Sequence, residues 1–200
     1  MKQSKIIMAV AALLLLLLFI FPLWNITLEA PQYPEPIGMN IHINKIADMN
    51  PNDVQNINLM NHYIGMKNIP TDMIEFTIFP IVVLVMCLLG LISAFLGNYK
   101  LFLVWFLFMS ILGIAGMVDF YMWEHDYGSN LSHDAAIKFT DANDNPMVYQ
   151  PPLIGTKTIL NFIAHSYPRL GAVFLFASII LSLIAFYLGK KSTKKQLIYE

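Results

Sequence analysis

The sequence predicts an all-α membrane protein: four transmembrane helices, with two extracytoplasmic loops that form a small mixed cap. Three observations carry this expectation. Four apolar stretches are each long enough to cross roughly 30 Å of hydrocarbon. Charge is sparse: Asp, Glu, Lys and Arg make up 12% of the chain against 57% apolar residues, about half the charged share of a soluble domain. Lysines, finally, crowd the ends of these stretches on one side only.

Residues 1–24 hold a short basic start and the first span. The apolar run 6–24 includes six consecutive leucines at 13–18. A secretory signal has a shorter apolar core and a small-residue cleavage site. Here the run ends in Phe21, Pro22, Leu23 and Trp24, so an uncleaved anchor is expected. Residues 25–72 form the first polar loop. Pro31, Pro34 and Pro36 start it in an extended path. Residues 41–46 alternate and read as a strand. Residues 53–64 read as a helix with Asn52 at its N-cap. Asn25-Ile26-Thr27 fits a glycosylation sequon.

Residues 73–122 hold spans two and three. Asn98-Tyr99-Lys100 joins them so tightly that they must be an antiparallel hairpin. Pro80 marks a possible kink, and Gly113 and Gly116, three apart, would permit close helix contact. Residues 123–168 are the second polar loop. Within it, the prolines and glycine of 149–157 impose a non-helical path, and 158–166 reads as a surface helix. Residues 169–189 are the fourth span, and 190–200 a basic tail.

Lys2, Lys5, Lys100, Lys190, Lys191, Lys194 and Lys195 all fall on one side. By the positive-inside rule that side is cytoplasmic, with both termini. Both long loops, and all five histidines, then lie outside. Cys87 is the single cysteine, which excludes an intrachain disulfide and any CxxC chemistry. A net charge of −1 gives no reason to expect a nucleic-acid partner. Walker, GxGxxG, HExxH, CxxCH and GxSxG patterns are missing. The spans carry little charge beyond Glu75 and Asp119, which argues against a substrate pathway through the membrane.

The exit of the third span is the richest stretch. On a helix, Asp119, Met122 and Asp126 share a face, with His125 beside Met122 and Glu124 pointing elsewhere. His133 and Asp134 follow a turn. Carboxylate, imidazole and thioether together suit a transition metal, and a thioether favours copper(I). The plainer reading pairs Asp119 with Arg169 and leaves Tyr121, Trp123 and Tyr127 as interface aromatics. A second pair is His62 and Met66, four apart; Met39 and His42 are three apart. Methionines at such spacing more often pack than ligate. The candidate metal set is therefore His62, Met66, Asp119, Met122, His125 and His133. His165 is a weaker candidate, and no catalytic residue is assigned.

Three stretches also carry a resemblance. Asn61-His62-Tyr63-Ile64-Gly65-Met66, the run from Val118 to Gly128 (VDFYMWEHDYG) and Tyr149-Gln150-Pro151-Pro152-Leu153-Ile154-Gly155 resemble the small multi-span membrane proteins encoded beside the Sec-exported type of bacterial nitrous oxide reductase, the NosB-like proteins. The resemblance runs from about residue 21 to the fourth span. It implies a bacterial cytoplasmic membrane and partners in the assembly or electron supply of a periplasmic copper enzyme. It supplies no catalytic residues. The expected role is an accessory protein that docks such an enzyme or handles its copper. The alternatives are a membrane-edge metal oxidoreductase built on Asp119, His125 and His133, or a purely structural subunit.

Overall fold

The computed structural model describes residues 2–138, 140 and 147–199. Four of its helices are long and apolar enough to cross a membrane. The first is α1 (Lys2–Leu14), which tightens into a 3₁₀ stretch, Leu15–Phe19, over the leucine run. The others are α3 (Glu75–Leu96), α4 (Tyr99–Ser129) and α5 (Leu170–Tyr199). A shorter helix, α2 (Asp53–Ile64), belongs to the polar segment between α1 and α3.

The expectation of an all-α protein is corrected here. The two polar segments combine into one antiparallel sheet of five strands, in the order β3-β2-β1-β5-β4. The strands are β1 (Trp24–Glu29), β2 (Ile37–Ile41), β3 (Ile46–Asp48), β4 (Gly155–Ile159) and β5 (Phe162–Pro168). The central pair, β1 and β5, is the direct continuation of α1 and α5, which also pack together in the bundle. Backbone bonds from Arg169 N to Leu23 O and from Gly171 N to Pro22 O, both 2.9 Å, weld the junction. A Cβ on Gly171 would sit 2.7 Å from the Phe21 and Pro22 carbonyl oxygens, so the two chains can meet there only through glycine.

In the bundle α1 packs against α3 and α5, and α5 against α4. Met8, Leu15, Leu18, Met86, Phe102 and Trp105 form its core. Hydrogen bonds without water to compete are placed with care: Ser178 Oγ donates to Ala11 O at 2.6 Å and Trp105 Nε1 to Met86 O at 2.8 Å. The close helix contact predicted for Gly113 and Gly116 lies elsewhere. A Cβ on Gly116 would meet nothing within 4 Å, whereas one on Gly90 would lie 2.7 Å from the Ala12 Cβ. The outer faces are apolar; Phe95 is 83% exposed and Ile111 63%, as lipid contact requires.

Gly97 in the left-handed region (φ 71°) and Asn98, whose side chain accepts from Lys100 N at 3.0 Å, close the α3–α4 hairpin. Two other expectations fail locally. Residues 41–46 do not make one strand but the end of β2, a turn and the start of β3; His42 N donates to Lys45 O at 2.8 Å. The alternation persists because Ile43 at the turn is buried in the bundle core, not in the sheet. Residues 158–166 are not a helix but the β4–β5 hairpin, turning at Leu160 and Asn161.

The α2 prediction holds in its bounds but not in its cap. Asn52 makes no side-chain cap bond; Asp48 Oδ1 accepts from Val54 N at 2.7 Å instead. Asp53, buried in the first turn, accepts from Gly38 N and Asn50 N at 2.9 Å each and so fastens α2 to β2.

Candidate functional site

At 31 residues, α4 runs about 46 Å, well beyond the thickness of hydrocarbon. Its last two turns, residues 123–129, pack under the sheet. Met117, Phe120, Glu124 and Tyr127, at offsets of three, four and three, form the face that meets the cap. Glu124 and Tyr127 of this face, with Trp123 beside them, form the floor of a cavity of about 100 Å³. β1 and β2 contribute Ile26, Leu28 and Met39 to its walls; α2 contributes Ile57, Met60 and Asn61. Met66, Tyr149, Pro151 and Phe162 also line it.

Glu124 is the exception in this apolar chamber. It is 0% exposed, and neither carboxylate oxygen has a hydrogen-bond partner among the described residues. Burial without a partner penalises the charged form. The carboxyl is accordingly pushed up to about 8, so near neutral pH it is mostly protonated. A neutral acid offers one donor and retains acceptor capacity.

The surroundings are fixed around it. The Tyr127 hydroxyl accepts from Asn61 Nδ2 at 2.7 Å and donates to Lys67 O. Its burial raises the phenol further above its ordinary range. Trp123 stacks on Tyr127 at 5.2 Å and on Phe120 at 6.1 Å, and Phe120 meets Trp24 at 5.5 Å. Trp24 Nε1 donates to Ser166 Oγ at 2.7 Å, tying β1 to β5. Outside the cavity, Lys67 Nζ reaches Asp126 Oδ2 at 3.1 Å; that hydrogen bond, with one from Asn130, holds the Asp126 carboxyl below its usual range. At Gly128 the 149–152 segment lies directly on α4: a Cβ there would be 2.4 Å from Gln150 Cα, and Tyr149 N donates to Gly128 O at 2.8 Å.

Of the six predicted metal-site residues, Met66 lines this cavity. The argument that paired it with His62 assumed a helix through both. The helix stops at Ile64, and Gly65 turns the chain in the left-handed region (φ 80°). His62 is exposed, its ring against Tyr63. On α4, Met122 is 64% exposed and His125 is exposed beside Tyr121. His133 is exposed on the loop beyond. Asp119 does not pair with Arg169, whose guanidinium donates to Asn25 Oδ1 at 3.0 Å; it lies within electrostatic reach of Glu75. His165 bridges Glu29 at 3.1 Å and Thr156 at 2.8 Å across the sheet. The sequon asparagine, Asn25, is buried with its amide donating to Met39 O and Asn40 Oδ1, both at 3.1 Å.

Among the described residues, no three His, Cys, Asp or Glu side chains gather into a metal-binding group. The softer donors do share one place: Met39, Met60 and Met66 line the chamber together with Glu124. Thioether donors of this kind fit copper(I) better than a harder ion. The residue that sequence reasoning missed is Glu124. Its signal was available: it is the acidic position on the helical face of Met117, Phe120 and Tyr127. Family models, curated proteins and solved structures offer no match to this chain.

Proposed function

We propose that this chain is an integral accessory protein of a bacterial cytoplasmic membrane, with both termini cytoplasmic. Its outer cap supports a periplasmic copper enzyme, nitrous oxide reductase on the resemblance given above, by docking it or handling its copper. One observation carries the reading: the paired strands β1 and β5 join the packed helices α1 and α5 through short links, and backbone bonds tie those links together. The bundle is thereby a rigid stand for the cap, and the function sits in the cap. The exposed His62 and Tyr63 at the end of α2, and Met122 and His125 on α4, offer contact groups to a partner. Met39, Met60 and Met66 are the donors that would hold copper(I), and a thioether set supplies an exchangeable grip.

The test is a deletion in a nitrous-oxide-respiring bacterium, complemented with tagged protein. The deletion is expected to lower nitrous oxide reduction, and the tagged chain to co-purify with the reductase or an assembly factor. Copper content of the reductase separates the two roles: it falls if the cap handles copper and stays full if the cap only docks. A deletion strain with normal nitrous oxide reduction would sink the proposal.

A further inference from the structure

The chamber beneath the sheet has a feature that packing does not explain. A core free of function buries apolar groups, and a buried acid with no partner costs stability. Glu124 nevertheless lines the chamber, with both oxygens buried just behind its surface and unpaired among the described residues. Asn61 and Tyr127, two other polar side chains on the wall, already bond to each other. A buried water needs two to four polar partners, so a water held mainly by one carboxyl is a poor solution. A guest that brings its own polar group is a better one.

The walls define that guest. Trp123, Tyr127 and Phe162 present aromatic surface, and Met39 and Met66 present polarisable thioethers that pack well against rings. A charged head is unsuitable. Any charged guest would have to give up its water in an apolar chamber that offers no groups to solvate it in return. A hydroxyl suits both orphaned oxygens, because it accepts the acid proton and donates to the carbonyl oxygen. The volume, about 100 Å³, is below the roughly 150 Å³ of an apolar cavity that takes benzene. The chamber is part-open, so a ring can enter without being wholly enclosed.

We propose that the cap chamber binds a neutral aromatic ring carrying a single hydroxyl, a phenol-type molecule or the ring end of a larger one, with Glu124 as its hydrogen-bond partner. Such a ring can come from the bilayer, as the head of a lipid-soluble molecule, or from the aqueous phase. This goes beyond the accessory role and does not depend on it.

The experiment uses the full chain in detergent, titrated with 4-fluorophenol and fluorobenzene and followed by fluorine NMR. Saturable 4-fluorophenol binding is expected, about tenfold tighter than fluorobenzene, since one neutral hydrogen bond is worth about that factor. Glu124→Leu removes the preference, bringing the two probes within about twofold, while Glu124→Gln, which can still donate and accept, keeps most of it. Ile57→Trp fills the chamber from α2 while leaving the Glu124 residue itself unchanged, and abolishes saturable binding of both. A 4-nonylphenol arm in phospholipid vesicles distinguishes the sources: tighter binding than 4-fluorophenol marks a bilayer-borne guest, weaker binding a water-borne one, and either order upholds the site. No saturable binding to the wild type, equal affinity for the two fluorinated probes, or a preference that survives Glu124→Leu or chamber filling overturns the proposal.

Discussion

Asn61 on α2 donates to the hydroxyl of Tyr127 on α4 at 2.7 Å, across 66 residues of sequence. This bond, and the one from the Tyr127 hydroxyl to Lys67 O, clamp the cap helix to the extension of a membrane-crossing helix. They sit one helical turn from Glu124 and hold one side of the chamber shut. Tyr127→Phe removes the hydroxyl and leaves the Asn61 amide and the Lys67 carbonyl only their long mutual contact of 3.5 Å. The expected cost to the cap is about 1–3 kcal/mol. Tryptophan fluorescence during denaturant unfolding in detergent measures it, because Trp123 stacks on this ring. A double-mutant cycle with Asn61→Ala isolates the shared part, expected at about 1 kcal/mol.

Glu124 makes cap stability depend on pH in a direction opposite to that of a salt-bridged acid. In the unfolded chain its carboxyl titrates near 4.5, and in the fold near 8. Between those values the folded state holds the extra proton, so stability is highest at low pH, falls as pH rises from about 4.5 to about 8, and levels off above. The full span is on the order of 5 kcal/mol. Glu124→Gln is expected to flatten this part of the profile and to be more stable than wild type at pH 8. Denaturant midpoints across pH 5–9 check it; an unchanged slope in Glu124→Gln would place the titration elsewhere.

Gly128 is where the proline-rich segment 149–152 touches α4, with Gln150 Cα and N each 2.4 Å from the place a Cβ would take. The obstacle is backbone, which cannot swing aside as a side chain can. Gly128→Val is therefore expected to lift the segment, expose Tyr149 and cost about 1–3 kcal/mol or more. Limited proteolysis reads the change directly as new cleavage near residues 148–153. Gly116→Ala, with open space at its Cβ position, is the matched control and leaves the pattern unchanged.

The four spans were legible because length and hydropathy are enough to define them, and the antiparallel hairpin because its turn is only two residues long. The sheet was not. Its central strands pair residues 24–29 with residues 163–168, a contact that no local pattern encodes. The β4–β5 hairpin was hidden for a specific reason: Leu160 takes a positive φ of 58° at the turn, where glycine or asparagine would have announced it. The strand read over 41–46 failed because one apolar position, Ile43, serves a different core from its neighbours. Grouping Asp119, Met122 and Asp126 on one face of α4 was sound helical geometry. It followed the exposed and partly exposed side of the helix, however, and the consequential carboxyl lay on the face already occupied by aromatics.

The account depends on the sheet, and with it Glu124, lying outside the cytoplasmic membrane. Cys87 is buried, so introduced thiols can be labelled against a low background. Lys157→Cys places one on an exposed position of β4, and Lys191→Cys places another on the exposed basic tail. With intact spheroplasts and a membrane-impermeant maleimide, the account predicts that Lys157→Cys is labelled and Lys191→Cys is labelled only after lysis. Labelling of Lys191→Cys in intact spheroplasts, with Lys157→Cys protected until lysis, would contradict it.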